Sequence, residues 1–257
     1  MSVAALGRRV LVLREASDGQ RTAAELRRRG HEPMLLPLAR IVALRTPCPP
    51  GPFGAVLVTS AQAVPWLRDR RARIGDVPAF AVGARTAEAL ENAGWPVARR
   101  GTEGAADLAE PLAALLAGGS APLLYAAGRV RLPATEEGLA RRGVPLVVAE
   151  AYDTVSREPE PGEIARLVAE PVEAALLLSA LQAEGFARLW DAHRHAFAGE
   201  ELRLLCLSER IADRLPASLR ERAVQASSPR LADLLDLLDA GRHRSAEDFR
   251  CRERDAL

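Results

Sequence analysis

The sequence predicts an α/β protein made of two similar parallel-sheet domains. Three observations carry that reading. Short apolar runs alternate with helical patterns along the whole chain. Strand–helix–strand units of ~30 residues imply parallel crossovers with helices on the sheet faces. Two kinds of unit each occur twice, the sign of an internal duplication. The 257 residues, 48% of them hydrophobic, suffice for two domains that each bury a core.

The elements follow in order. Arg9-Val10-Leu11-Val12-Leu13-Arg14 is a short apolar run that reads as a buried strand. Asp18 and Gly19 supply helix-start chemistry, with Ala23, Ala24 and Leu26 as the apolar face. Arg27-Arg28-Arg29-Gly30 ends the helix, placing guanidinium groups on the last carbonyls and a glycine at C′. A strand over 32–38 completes the first crossover. A second unit runs through a strand at 55–59, a helix from Ser60, a strand at 79–82 and helices at 84–93 and 105–116. Then each unit recurs. Strand 122–126, helix 134–142 ending in Arg141-Arg142-Gly143, and strand 144–149 repeat the first. Strand 174–178, a helix from Ser179, strand 202–207 and helices at 209–215 and 231–238 repeat the second. Residues 40–44 and 150–155 are β-prone but belong to no unit. Residues 46–52 and 157–162 read as loops, and 241–257 as a frayed extension.

Composition excludes several functions. A formal net charge of +1 is too balanced for a disordered chain or a nucleic-acid-coating domain. All 35 basic residues are arginine. With no lysine there is no Schiff-base lysine, no pyridoxal-phosphate anchor and no Walker-type phosphate loop. Cys48, Cys206 and Cys251 form no CxxC pair, which argues against zinc or a disulfide framework and fits a reducing cytosol. His193 and His195 lack further ligands nearby and read as a solvated loop. No leader peptide and no run of ~18 apolar residues is evident, so a soluble cytoplasmic protein is expected.

Ligands of parallel α/β sheets bind outside the carboxyl ends of the strands. Those ends carry Thr59 and Ser60, then Gly83 and Thr86, then Gly128, Arg129 and Arg131. In the other half they carry Arg14, Ser179, Ser208 and Arg210, and Ser179-x-x-Gln182 matches a capping box. Taken singly, each serine reads as a helix cap, Gly83 as a tight turn and each arginine as a solvated side chain. Repetition across the two halves points to more. Backbone N–H groups at helix starts, aided by arginine, suit carboxylates, so a small polyanion in a cleft between two domains is expected. No GxGxxG or GxxxxGK[ST] run favours phosphate, and no GxSxG elbow or HExxH motif is present.

The order of units resembles the uroporphyrinogen-III synthase family from Arg9 to about Leu238. The resemblance rests on Val10-Leu11-Val12-Leu13-Arg14, Gly30-His31-Glu32-Pro33, Leu36-Pro37-Leu38 and Val58-Thr59-Ser60-Ala61-Gln62-Ala63. It continues through Ala81-Val82-Gly83-x-x-Thr86-Ala87, Leu90-x-x-x-Gly94, Gly104-x-x-x-Leu108, Gly128-Arg129, Ala151-Tyr152-x-Thr154-Val155 and Leu178-Ser179. No single motif is specific; the ordered set carries the likeness. It implies two flavodoxin-like lobes through which the chain passes twice: residues 1–38 with 156–240, and residues 46–148. The strands 39–45 and 149–155 would link them, with a flexible tail at 241–257.

The activity implied is closure of hydroxymethylbilane, a linear tetrapyrrole, to uroporphyrinogen III with inversion of the last ring. No cofactor or metal takes part. The hydroxyl leaves the first ring to give an azafulvene, the last ring attacks through its substituted carbon, and a spiro intermediate breaks and recloses. Each pyrrole carries an acetate and a propionate, which suits an anion-binding cleft. The family further implies a monomer in transient contact with the preceding pathway enzyme, away from nucleic acid and membrane. Arg14, Thr59, Ser60, Gly83, Thr86, Gly128, Arg129, Arg131, Ser179, Ser208 and Arg210 would bind substrate. Tyr152 aligns with a phenol that could protonate the departing hydroxyl; a half-buried linker tyrosine is the competing reading. The chain departs from the family at Ser208-Glu209-Arg210-Ile211, where many members have a Gly-x-Thr-Thr-like run. There Arg210 replaces the threonine contacts, or the grip is by backbone alone. A non-catalytic tetrapyrrole- or polyanion-binding sensor or scaffold is the alternative function, and a periplasmic-type binding protein is disfavoured by the missing leader.

Overall fold

In the computed structural model, residues 7–102, 104–131, 133–197 and 202–240 are described. The expected tail at 241–257 and Cys251 lie outside them. The chain opens with β1 (Arg9–Val12), α1 (Ala16–Arg28), β2 (Glu32–Leu35) and β3 (Ala39–Ala43). β4 (Ala55–Val58), α2 (Val64–Arg68), α3 (Arg71–Ile74), β5 (Ala79–Val82), α4 (Ala84–Asn92), β6 (Val97–Gly101) and α5 (Ala106–Leu116) follow. Next come β7 (Leu123–Gly128), α6 (Pro133–Ala140), β8 (Leu146–Ser156), α7 (Pro161–Ala169), β9 (Ala174–Leu177) and α8 (Ala180–Ala192). β10 (Arg203–Cys206), α9 (Glu209–Ala212), α10 (Ala217–Arg220), β11 (Ala223–Gln225) and the helix α11 (residues 231–240) close the described chain.

Two compact units result, residues 41–155 and the remainder on either side of them. The flanking unit holds a five-stranded sheet in the order β11-β10-β9-β1-β2, with every pair parallel. The second sheet has six strands in the order β3-β8-β7-β4-β5-β6, parallel from β8 through β6. Apolar runs without polar alternation belong in such sheets because helices cover both faces. In β1, Val10 and Val12 pack with Leu26 of α1 and Leu234, Leu235 and Leu238 of α11. Leu11 turns the other way, toward Leu167, Phe186 and Leu189. In β4, Val56 and Val58 meet Trp66, Leu67 and Leu90, while Ala55 and Leu57 meet Leu108, Leu112 and Leu139.

Several local readings change. The first helix is capped by Glu15, whose carboxylate accepts the Ser17 and Asp18 N–H groups at 3.1 and 2.7 Å. Asp18 is thereby released to pair with Arg14. The helix buries Gly19, Thr22, Ala23 and Leu26, and Ala24 is exposed, because the stripe follows a 3.6-residue period. Residues 40–43 and 150–155, which no unit claims in sequence, fall in paired strands β3 and β8, and Leu44 follows β3 with its N–H donating to the Ala151 carbonyl at 2.9 Å. β8 runs eleven residues because nothing between Leu146 and Ser156 is Gly or Pro. The segment 157–162 includes the start of α7, with Pro161 in the first turn and a Glu160–Glu163 capping box. His193 caps the end of α8 and His195 lies in a 3₁₀ turn, in place of the expected loop.

Candidate functional site

The strand order of each sheet reverses at one point, the place where open α/β sheets take their ligands between diverging loops. In the six-stranded sheet the chain leaves β4 toward β5 and β6, then returns on the other side of β4 as β7. The crevice therefore lies between Thr59-Ser60, after β4, and Gly128-Arg129, at the end of β7. In the five-stranded sheet β1 leads to β2, and β9 sits on its other side. That crevice lies between Arg14 and Ser179. Sequence alone lists strand ends without fixing their neighbours; strand order selects these two pairs from among them.

Around the first crevice the side chains are tied down. The Thr59 hydroxyl lies 3.1 Å from the Tyr125 phenol oxygen, a buried group on β7. Ser60 caps the turn after β4, its Oγ accepting the Gln62 N–H at 3.3 Å. Gly83, at φ +79°, starts α4 with open space where a Cβ would be, and Thr86 is buried in the first turn. A left-handed φ with no side-chain cap requires glycine here. Gly128 is also needed, for a different reason. A Cβ there would stand 2.8 Å from Tyr152 Cζ and 3.0 Å from its hydroxyl oxygen, so the phenol ring of β8 lies directly on the glycine. A register shift between Ala127 and Gly128 sets Tyr152 opposite Gly128, and the Arg129 N–H donates to the Tyr152 carbonyl at 2.8 Å.

The arginines of this crevice are matched by acids. Arg129 donates to Glu150 and Asp153, each at 3.0 Å. Arg131 donates to Glu136 at 2.6 Å, with Glu150 at 3.5 Å. The hydrogen bond from Arg129 holds the Glu150 carboxyl below the usual carboxylate range. Glu136, Glu150 and Asp153 leave no sequence signal, since acids on surface segments are common. Tyr125 is hidden too, because a tyrosine inside an apolar strand reads as core.

In the other unit, Arg14 is held by Asp18 at 2.6 Å and reaches the Thr22 hydroxyl at 3.3 Å. Ser179 caps α8, its Oγ accepting the Gln182 N–H at 3.3 Å. The reciprocal bond differs from a capping box, since Gln182 Oε1 accepts from the Leu178 N–H at 2.8 Å. Ser208 precedes α9 without a side-chain cap, and Arg210 is exposed on that short helix. Ser208 and Arg210 follow β10, one strand away from the crevice. Among the described residues no cluster of His, Cys, Asp and Glu could hold a metal, and no helix is long and apolar enough to cross a membrane.

A doubly wound α/β protein with one switch point in each of two sheets is the class these observations define. The sequence profile of the uroporphyrinogen-III synthase HemD family matches residues 20–236. The chain belongs to that family. The fold is shared with uroporphyrinogen-III synthetase from Helicobacter pylori, at TM-score 0.58 and 18% identity, over 91% of this chain and 99% of that one. A mutant uroporphyrinogen III synthase from the extremely thermophilic bacterium Thermus thermophilus aligns at 21% identity and TM-score 0.49, over 93% and 100% of the two chains. No curated protein matches the chain significantly.

Proposed function

We propose that the protein closes hydroxymethylbilane to uroporphyrinogen III, inverting the last ring. The observation that carries this reading is Tyr152 lying against Gly128 beside the switch point of the six-stranded sheet. A phenol ordinarily keeps its proton at neutral pH, and this one borders a crevice lined by hydroxyl and backbone donors. Its O–H gives its proton to the hydroxyl of the substrate, which leaves as water while the pyrrole nitrogen supplies the electron pair; the nitrogen's proton then passes to the phenolate, restoring the phenol. The last ring then attacks the exposed methylene through its substituted carbon. The spiro intermediate breaks one bond and re-forms another, so one water is lost overall.

The protein's larger task is positioning. The linear substrate closes unaided to the wrong isomer, so catalysis must hold one folded conformer. Thr59 and Ser60 offer hydroxyls to the carboxylates, and Gly83 and Thr86 mark a helix start whose exposed N–H groups can do the same; Arg14, Ser179, Ser208 and Arg210 are the corresponding candidates at the strand ends of the other sheet. Gly128 admits the phenol. Arg129 and Arg131 reach the substrate only by exchanging an internal carboxylate for one of the ligand's, which limits their net contribution. The test is incubation with freshly generated hydroxymethylbilane and separation of the product isomers. Type III above the blank is expected. Type I alone, at the uncatalysed rate, would refute the proposal in favour of a binding role.

A further inference from the structure

Beside Tyr152 a pocket of about 550 Å³ opens on the unit formed by residues 41–155. That volume falls within the ~300–1,000 Å³ of small-molecule sites. It adjoins the strand-end crevice through Gln62, two residues beyond Ser60. Ile41 and Leu44 give it apolar wall, and Tyr152 borders it. Arg70 adds a fixed cation. Its guanidinium lies 4.4 Å over the Trp66 ring and donates to the Thr46 carbonyl at 2.7 and 3.1 Å and to the Trp66 carbonyl at 3.2 Å. Three further polar side chains line the pocket, Arg45, Gln62 and Asp69, and the Asp69 carboxylate is paired with Arg68 at 3.3 Å. Among the described residues neither the Arg45 guanidinium nor the Gln62 amide has a hydrogen-bond or ion-pair partner. This contrasts with Arg129 and Arg131, whose charges are met by acids.

We propose that this pocket seats one pyrrole ring of the linear substrate, the terminal ring that carries the hydroxymethyl group. The inference rests on the reaction proposed above and names where one end of the substrate goes. An electron-rich pyrrole is attracted to a flat, immobilised guanidinium, which Arg70 supplies. The ring's carboxylates need donors with no internal partner, which Arg45 and Gln62 supply. The leaving hydroxyl must lie near the proton donor, and Tyr152 forms part of the same wall. The pocket thus holds the hydroxymethyl end of the chain beside the proton donor. The opposite end, whose ring inverts, lies outside it.

The test uses the full chain with two ligands, hydroxymethylbilane and a single pyrrole bearing one acetate and one propionate. Arg45 is exposed, so Arg45→Gln keeps the fold, and Gln62→Leu is the second variant; Arg73→Gln, on the exposed side of α3, is the control. For Arg45→Gln, KM for the bilane should rise on the order of tenfold, as expected for a lost charge-assisted bond, with kcat within about twofold. The monopyrrole diacid should shift amide resonances of residues 44–46 and 62 in the wild type and lose affinity in both variants. Arg73→Gln should match wild type throughout. Unchanged KM in both pocket variants, with a wild type that makes type III isomer, overturns the inference alone. A wild type that makes only type I isomer overturns the reaction reading, and this inference with it.

Discussion

Replacing Gly128 by alanine tests the contact on which the site is built. Gly128 does not have a positive φ, so alanine suits its backbone and the effect is steric. The new methyl would stand 2.8 Å from Cζ and 3.0 Å from Cε2 of Tyr152. Carbon atoms settle at ~3.5–4.0 Å, so the ring must retreat by roughly 0.7–1.2 Å. Overpacking of this kind costs ~1–3 kcal/mol. In a chain of this size each kcal/mol lowers the melting temperature by ~2–4 °C, for a fall of roughly 2–12 °C. Turnover should suffer more, because a reacting group misplaced by ~1 Å loses about 10²-fold. The assay pairs thermal unfolding with the rate of type III formation for Gly128→Ala, Tyr152→Ala and the double variant. The double variant should be more stable than the sum of the two single losses, since the clash vanishes with the ring. Additive stability losses, or full activity in Gly128→Ala, would refute the contact.

Three other outcomes follow from the same geometry. Tyr152→Phe keeps the ring on Gly128, so stability should hold while turnover falls by up to ~10²-fold, the lower end for a general acid; a switch toward type I would mean the hydroxyl folds the substrate. Arg129→Ala should raise KM more than Arg28→Ala on the helix face and let the Glu150 carboxyl titrate nearer its usual range; equal effects of the two substitutions would leave the grip to backbone amides. Burial pushes the Glu163 carboxyl up, but Arg157 at 2.7 Å and the Glu160 N–H at 2.8 Å outweigh it and hold it below the usual range. Its contribution is therefore present above the unfolded pKa of ~4.3 and is lost as pH falls through the folded value. Glu163→Gln should melt below wild type at pH 7, with the gap closing as the pH is lowered past ~4, followed by circular dichroism.

The α/β class was legible because the central strands are apolar on both faces. The run Val10–Leu13 and the run Ala55–Val58 could scarcely be read otherwise, and Ser60, Ser179 and Gly83 mark the helix starts that follow such strands. The edges were harder. β6 carries Arg99 and Arg100, both exposed, so it lacks the apolar signal by which a strand is recognised. β11 has only three residues. Strand ends could be listed as binding positions, but which of them face one another depends on strand order, set by contacts far apart in sequence. The partners of Arg129 lie 21 and 24 residues away, and Tyr125 meets Thr59 across 66. No local pattern encodes those distances.

The register shift between β7 and β8 bears on how this site can change over evolutionary time. Ala127 pairs with Glu150 and Gly128 with Tyr152, so Ala151 is the extra residue of the step. Because side chains alternate along a strand, one residue more or fewer would carry the phenol to the opposite face of the sheet. Substitutions along β8 alter packing by degrees; a single-codon insertion or deletion there switches the phenol's side outright. Lineages that keep the phenol on this face are thus expected to vary in the exposed residues of β8 but hardly at all in the number of residues before Tyr152, so that strand length is itself a heritable record of the site.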